Sequence, residues 1–236
     1  MKKERNHIDG ILLVDKPADW TSFDVVNCIR RRFNLDKTGH CGTLDPFATG
    51  LLVILLGKAT KLQDALMARQ KRYTGTMMLG VRTDSQDLTG QPVSQCDVPF
   101  LTLQSLQAMA NAFLGDIMQI PPMHSAIKVD GRPLYKLARR GQEVDRQPRP
   151  VHISRFDITA CNLPLADFTV ECSKGTYIRT LAADLGEKAG CGAHLTALRR
   201  ISSGSHDVAD AYQLDQVRSW DLEALRTHLQ PLPTAS

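Results

Sequence analysis

The chain has 236 residues, 42% of them hydrophobic, with 29 basic against 25 acidic side chains and a formal net charge of +4. This is an ordinary globular composition, long enough for one large domain or a domain with an appendage. No apolar run approaches the roughly 18 residues of a membrane span, and so small a net charge does not by itself establish nucleic acid as a partner.

Met1-Lys2-Lys3-Glu4-Arg5-Asn6-His7 has no apolar signal region behind it, so a cytoplasmic protein is expected. Residues 10–15 are a short apolar run ending at Lys16-Pro17 and read as a buried strand. Thr21 or Ser22 can cap a helix through about residue 33, with Val25, Val26, Cys28 and Ile29 on its apolar side. Residues 39–50 then read as a loop, and 51–56 as a central strand. A helix is expected over 60–67, a strand over 72–79 and a polar loop over 81–91. Residues 102–113 have helical spacing behind a Thr cap, and Gly115 ends that helix.

Ile120-Pro121-Pro122 breaks the chain. Residues 125–129 with Gly131 look like a strand and turn, 133–140 like a short helix, and 151–160 with 167–172 like paired strands. A helix over 178–189 is expected to start from a Thr176 cap and end at Gly190; a last strand covers 195–201. Strands outnumber helices without alternating regularly with them. The expected fold is therefore α+β, a mixed, largely antiparallel sheet flanked by helices.

The loop Gly39-His40-Cys41-Gly42-Thr43-Leu44-Asp45-Pro46-Phe47-Ala48-Thr49-Gly50 is the most informative stretch. Its glycines call for tight turns or close backbone approach. Asp45, its one carboxylate, is held extended by the proline that follows it. An isolated Asp-Pro is also a common turn opener. The six cysteines, Cys28, Cys41, Cys96, Cys161, Cys172 and Cys191, form no Cys-x-x-Cys pair. They match neither a zinc site nor a compact disulfide framework. His40-Cys41 would be half a metal site without a second half, so reduced thiols and no metal are expected. No P-loop and no Gly-x-Gly-x-x-Gly sequence is present, and no cofactor is expected. Between residues 128 and 155, eight basic residues stand against three acidic ones. That imbalance fits a mobile arm gripping RNA phosphates, although a charge run is more often a solvated face.

The loop keeps company with residues 10–17, Thr21-Ser22, Gly57-Lys58-Ala59-Thr60-Lys61, Lys71-Arg72-Tyr73, residues 173–180 and residues 192–200. Each motif is weak; in this order and spacing they closely resemble the bacterial tRNA pseudouridine synthase B family, from about Gly10 to Arg200. The resemblance implies isomerisation of uridine 55 in the T-loop of tRNA, with tRNA as partner, no obligatory protein partner and a monomer. It makes Asp45 the catalytic carboxylate. A carboxylate suits a reaction that breaks a C–N glycosidic bond and remakes it as C–C, acting as nucleophile at the sugar or stabilising positive charge there. An isomerase needs no second acid, because uracil leaves as an anion and is recaptured.

By the same resemblance Arg179 pairs with Asp45 and keeps it ionised. Its place in the first turn of a helix opposes the helix dipole, so a partner is needed unless the side chain simply reaches solvent. Tyr73 is matched to the tyrosine that stacks on the target base and assists proton transfer; without the family it would pass as a core residue. Tyr177 and Leu198 are matched to positions lining the base pocket. His40 is matched to the residue that takes the place of the flipped base, where a bland reading gives it a local hydrogen bond. Lys128, Arg132, Arg139 and Arg140 belong to the arm that would close on the T-loop. Lys16 and Pro17 are expected to brace the loop of Asp45. Asp19 departs from the usual glycine, and a changed turn is expected there.

The expected organisation is a catalytic domain over 8–205, including the basic arm at about 124–150, and a C-terminal extension over 206–236. That extension has no room for the complete PUA-type RNA-binding domain many relatives carry. Two alternatives stand beside this reading. One is an RNA-binding or RNA-folding protein on the same scaffold without essential catalysis. The other is a sister enzyme working with a guide complex on ribosomal RNA. The intact Asp45, Tyr73 and Arg179 set disfavours the first, and the short bacterial-style chain the second.

Overall fold

The computed structural model describes residues 5–125, 127–129, 131–138 and 140–232. The chain forms two compact units, Met1–Tyr73 with Arg199–Ser236, and Thr74–Leu198. Strands and helices are mixed in both and most strand pairs are antiparallel, the expected α+β class.

In the first unit, β1 (Gly10–Lys16) is followed by α1 (Ser22–Arg32), β2 (Thr38–Cys41) and β3 (Thr49–Leu56). A 3-10 turn (Gly57–Leu62) then runs into α2 (Gln63–Met67), and β4 (Lys71–Leu79) carries the chain into the second unit. β3 runs antiparallel to β1, from Gly10↔Leu56 to Lys16↔Gly50, and antiparallel to β2. Alternate residues of β1 and β3 point to opposite faces and both faces are covered. Leu12, Val14, Leu52, Ile54 and Leu56 pack with Val25, Val26 and Ile29 of α1. Ile11, Leu13, Leu51, Val53 and Leu55 pack with Ala59 and Leu66. Burial on both sides explains why these strands read as uninterrupted apolar runs. Thr21 caps α1 reciprocally with Asp24, as its sequence suggests.

In the second unit, β5 (Val81–Thr83) and β6 (Pro92–Gln95) form a hairpin, followed by α3 (Leu103–Asn111) and β7 (Gly115–Gln119). β8 (Lys128–Val129), β9 (Arg132–Pro133) and α4 (Leu134–Ala138) lie in the basic arm. Then come β10 (Arg149–Asn162), β11 (Leu165–Cys172) and α5 (Ile178–Lys188). The strand order is β4-β11-β10-β7. β7 pairs antiparallel with β10, and Gln119 lies opposite Arg149. The arm therefore leaves the sheet just after Gln119 and re-enters it at Gln119's own partner. Phe156 meets Phe113 and Phe168 edge-on in this unit's core, at ring-centroid distances of 6.4 and 5.7 Å.

β12 (Ala193–Ser203) returns the chain to the first unit. There Arg199 and Arg200 pair parallel with Thr49 and Gly50. β13 (His206–Asp207), β14 (Tyr212–Gln213), α6 (Leu214–Ser219) and α7 (Leu222–Thr227) follow. β14 runs parallel to β1. Leu214, Val217, Trp220 and Leu225 complete the face covered by α1. No helix among the described residues is long and apolar enough to cross a membrane.

Several local expectations need correction. Residues 38–41 are a strand, invisible to periodicity because Gly39 and His40 interrupt any alternation. The helix expected over 60–67 begins as a 3-10 turn, where Thr60 Oγ1 donates to the carbonyl of Gly57 at 2.7 Å. The loop at 81–91 opens with a strand, and Gly115 starts one, with φ +88°. Among the described residues of the strand expected over 125–129, only Lys128–Val129 is strand; residue 126 lies outside the described residues. Thr176 does not cap α5: its hydroxyl donates to the carbonyl of Ser173 at 3.0 Å, and Tyr177 takes the cap position, where its side chain does not cap the helix.

Candidate active site

The Asp45 loop is tied down from three directions within the first unit. Lys16, at the end of β1, is fully buried, and its Nζ donates to the carbonyls of Pro17, Trp20 and Pro46 at 2.8, 2.6 and 3.0 Å. The Asp19 amide donates to the same Pro46 carbonyl at 2.9 Å. Ser22, at the start of α1, accepts from the Leu44 amide at 2.9 Å. Arg200 of β12 is 1% exposed; its Nε donates to the Leu51 carbonyl at 2.7 Å and its Nη2 to the Gly42 carbonyl at 3.1 Å. Leu44, Phe47 and Ala48 are buried around Asp45, which stays partly accessible, and the Asp45 carbonyl accepts from the Ala48 amide at 3.1 Å. Gly50 closes the loop at φ +98°, so close to β12 that a Cβ there would sit 2.3 Å from the Arg200 carbonyl oxygen. Asp19 holds φ +64°, the left-handed region that glycine enters freely.

The electrostatics follow from burial. Burial pulls the Lys16 pKa from 10.5 down to about 8, and Asp19 and Asp45 counter the fall. His40 is pushed below its ordinary value by burial and then by Arg200, which favours the neutral imidazole. Its Nδ1 is buried without a hydrogen-bond partner among the described residues. Burial raises the Cys41 thiol to about 11 and keeps it protonated, so this cysteine is no nucleophile. Tyr73 is buried on β4. Its two basic neighbours are committed locally: Lys71 Nζ donates to the carbonyls of Met67 and Arg69, and Arg72 pairs with Asp207 at 3.1 Å.

In the second unit Arg179 is buried rather than reaching solvent. Its Nε lies 3.7 Å from Asp87 Oδ2, Nη1 donates to the Ser85 carbonyl at 2.9 Å and Nη2 to the His124 carbonyl at 2.8 Å. Asp87 is itself held by the Ser85 hydroxyl at 2.7 Å and by the amide and hydroxyl of Thr89 at 2.9 and 2.6 Å. These are the partners that a cation in the first turn of a helix requires. Tyr177 is half-buried just before Arg179, and Leu198 is buried at the end of this unit. In the arm, Arg132 and Arg140 are exposed. Arg146 is engaged with the Pro121 carbonyl at 3.3 Å and Glu143 at 3.1 Å, and Arg155 is paired with Asp157. Arg139 and the side chain of Lys128 lie outside the described residues.

Sequence reasoning thus reached His40, Asp45 and Tyr73 in one unit, and Tyr177, Arg179 and Leu198 in the other. It assigned no role to Arg200, Ser85, Asp87 or Gln119, and considered Ser22 only as a helix cap. Arg200 left a signal, a second consecutive cation in the strand expected over 195–201. Asp87 left only a turn-like composition.

The family model described as "TruB family pseudouridylate synthase (N terminal domain)" matches residues 30–178, and that of the "tRNA pseudouridylate synthase B C-terminal domain" matches residues 179–235. The chain is 49% identical to tRNA pseudouridine synthase B of Opitutus terrae over 100% of this chain and 98% of the relative. To the protein of that name from Endomicrobium trichonymphae it is 47% identical over 94% of this chain and 96% of the relative. Among solved structures it is similar to a chain of a Cbf5-Nop10-Gar1 complex, with TM-score 0.72 and 30% identity over 94% of this chain and 60% of that one. A chain of an H/ACA RNP bound to a substrate RNA matches with TM-score 0.70 and 27% identity, over 94% of this chain and 59% of that one. The protein thus spans about three fifths of those two solved chains and nearly the whole of the two bacterial relatives. By family models that together span residues 30–235, and by near-half identity along the full length of a curated relative, the chain belongs to the TruB family of pseudouridylate synthases, enzymes that isomerise uridine in tRNA.

Proposed function

We propose that this enzyme acts on uridine 55 of the tRNA T-loop and that Asp45 is its nucleophile. The observation that carries the reading is the loop itself: a partly accessible carboxylate on a segment fastened by Lys16, Ser22 and Arg200. So much buried polar material spent on one loop fits a group whose position matters. Asp45 attacks the ribose C1′, the C1′–N1 bond breaks and its electron pair leaves on uracil. The uracil anion turns, C5 attacks C1′ as the bond to Asp45 breaks, and C5 gives up its proton while N1 takes one up from solvent. Arg179 keeps Asp45 ionised and aimed. Tyr73 stacks on the base and assists proton transfer, while Tyr177 and Leu198 line its pocket. A T-loop uridine is stacked, so it is flipped out at a cost of a few kcal/mol, and His40 fills the gap it leaves. Arg132 and Arg140, with Lys128 and Arg139, grip phosphates.

On this reading residues 8–205 carry catalysis, and the chain works as a monomer on the T-stem-loop without cofactor or protein partner. The test is release of tritium from C5-labelled uridine by the purified chain, on an unmodified tRNA transcript and on one with cytidine at position 55. Wild type should release one equivalent from the first and none from the second. Asp45→Asn should release none while binding the transcript nearly as well as wild type, because affinity comes mainly from phosphates. Full turnover by Asp45→Asn would sink the mechanism; release from the second transcript would sink the site assignment.

A further inference from the structure

The start of α5 carries both Tyr177 and Arg179, yet no side chain of the usual capping kind holds it. The residue that holds it is Gln119, 58 positions earlier. Gln119 is 2% exposed; its Oε1 accepts from the Tyr177 amide at 2.8 Å and its Nε2 donates to the Tyr177 carbonyl at 3.0 Å. One planar amide therefore satisfies both backbone groups of one residue, as a neighbouring strand would, and fixes that peptide in two directions. The Tyr177 carbonyl also accepts the first helical bond of α5, from the Leu181 amide at 3.1 Å. The clasp thus sets where the helix begins.

Gln119 stands at the neck of the basic arm. It is the last residue of β7 and faces Arg149, the first of β10, so the chain of the arm leaves and returns beside it. The same neck reaches α5 once more, and it is also tied within itself. The His124 carbonyl accepts from Arg179, and Arg146 holds the Pro121 carbonyl at the arm's base.

We propose that Gln119 is a positioning residue, which holds Tyr177 and the first turn of α5 in register with the neck of the RNA-gripping arm. The proposal rests on the reading of Tyr177 and Arg179 as site residues. Gln119 touches no reacting atom; it acts through the direction it gives to Tyr177 and, two residues on, to Arg179. The chemistry of the clasp is specific. It needs one donor and one acceptor in a plane, which an amide and a protonated carboxyl supply and an ionised carboxylate does not.

Three variants test this in single-turnover assays at saturating tRNA, alongside tRNA titrations: Gln119→Ala, Gln119→Glu and Tyr177→Ala. Gln119→Ala should lower the rate about tenfold to a hundredfold, the scale of a small misplacement of reacting groups, with tRNA affinity within about twofold of wild type. Gln119→Glu should be as impaired at neutral pH and should recover relative to wild type as the pH falls. A buried carboxyl titrates above its ordinary value of about 4, so the protonated, clasp-competent form accumulates in mildly acidic buffer. That recovery separates positioning from general destabilisation, which acid would not repair. Wild-type rates in both Gln119 variants, or a Gln119→Glu profile parallel to wild type, would overturn the proposal, provided Tyr177→Ala is slow. If Tyr177→Ala itself turns over normally, the reading of Tyr177 fails instead and takes the role of its clasp with it.

Discussion

Replacing Lys16 by Met removes the ammonium that binds the carbonyls of Pro17, Trp20 and Pro46 while keeping most of the side-chain volume. Hydrogen bonds to a charged donor contribute about 1.5–3 kcal/mol each, and the three carbonyls would be left without it. Against this, the wild type carries a burial penalty. The fall of the Lys16 pKa from 10.5 to about 8 corresponds to roughly 3 kcal/mol of disfavoured charge, which Met does not carry. The hydrogen bonds win, and the expected net loss is about 2–5 kcal/mol, or roughly 5–15 °C in melting temperature for a chain of this size.

The pH dependence has a definite sign. The folded protein holds the Lys16 proton less tightly than the unfolded chain does. The burial penalty is therefore fully present below about 8 and gone above 10.5. Catalysis should respond in the opposite sense. A neutral amine has two N–H groups for three carbonyls, so the hold on Pro46, and with it Asp45, should loosen as the pH rises past about 8. The assays are thermal unfolding followed by tryptophan fluorescence and single-turnover tritium release at saturating tRNA. Lys16→Met should lose about tenfold to a hundredfold in rate through misplacement of Asp45. A variant that melted with wild type and reacted within about twofold of its rate would refute the bracing argument; stability loss at full rate would confine Lys16 to folding.

Arg132 and Arg140 are exposed in the arm, and their joint replacement by Ala should flatten the log–log salt dependence of tRNA binding by about 1–2 units, at roughly 0.7–0.9 per phosphate. The rate at saturating tRNA should change little; an unchanged slope would make the arm a solvated face. Gly50→Ala would force a Cβ to within 2.3 Å of the Arg200 carbonyl oxygen at φ +98°. It should cost about 3 kcal/mol or more in a denaturant titration, combining backbone strain with overpacking. A midpoint matching wild type would show that β12 can move away freely.

What the sequence disclosed, and what it hid, divides by distance along the chain. The Asp45 loop was legible because its glycines, its proline and its lone carboxylate lie within twelve positions, and the helix after Thr21 because its cap lies beside it. The clasps of the site were not. Lys16 reaches Pro46 across 30 positions, Gln119 reaches Tyr177 across 58, Arg179 reaches Ser85 across 94 and Arg200 reaches Gly42 across 158. No local pattern encodes such pairs. The Ser85 to Asp87 turn looked like any polar loop, because its fixed carboxylate depends on Thr89 and Arg179 arriving. Thr176 misled for a related reason: its hydroxyl had a nearer carbonyl to serve.

The return of the chain through β12 bears on how the protein is made. Thr74–Leu198 is one continuous stretch, whereas Met1–Tyr73 needs Arg199–Ser236 to be complete. On a ribosome the middle stretch can fold as soon as it has emerged, but β3 must wait about 150 residues for Arg199 and Arg200 to pair with Thr49 and Gly50. Contacts so far apart in sequence form late, and their loop-closure entropy is offset only once they are made. The Asp45 loop, whose carbonyl at Gly42 is bound by Arg200, is thus among the last pieces to set. A nascent chain cut short before residue 200 would present the basic arm while the Asp45 loop still lacked the hold of Arg200; on the proposed reading, such a chain would bind RNA before it could react with it.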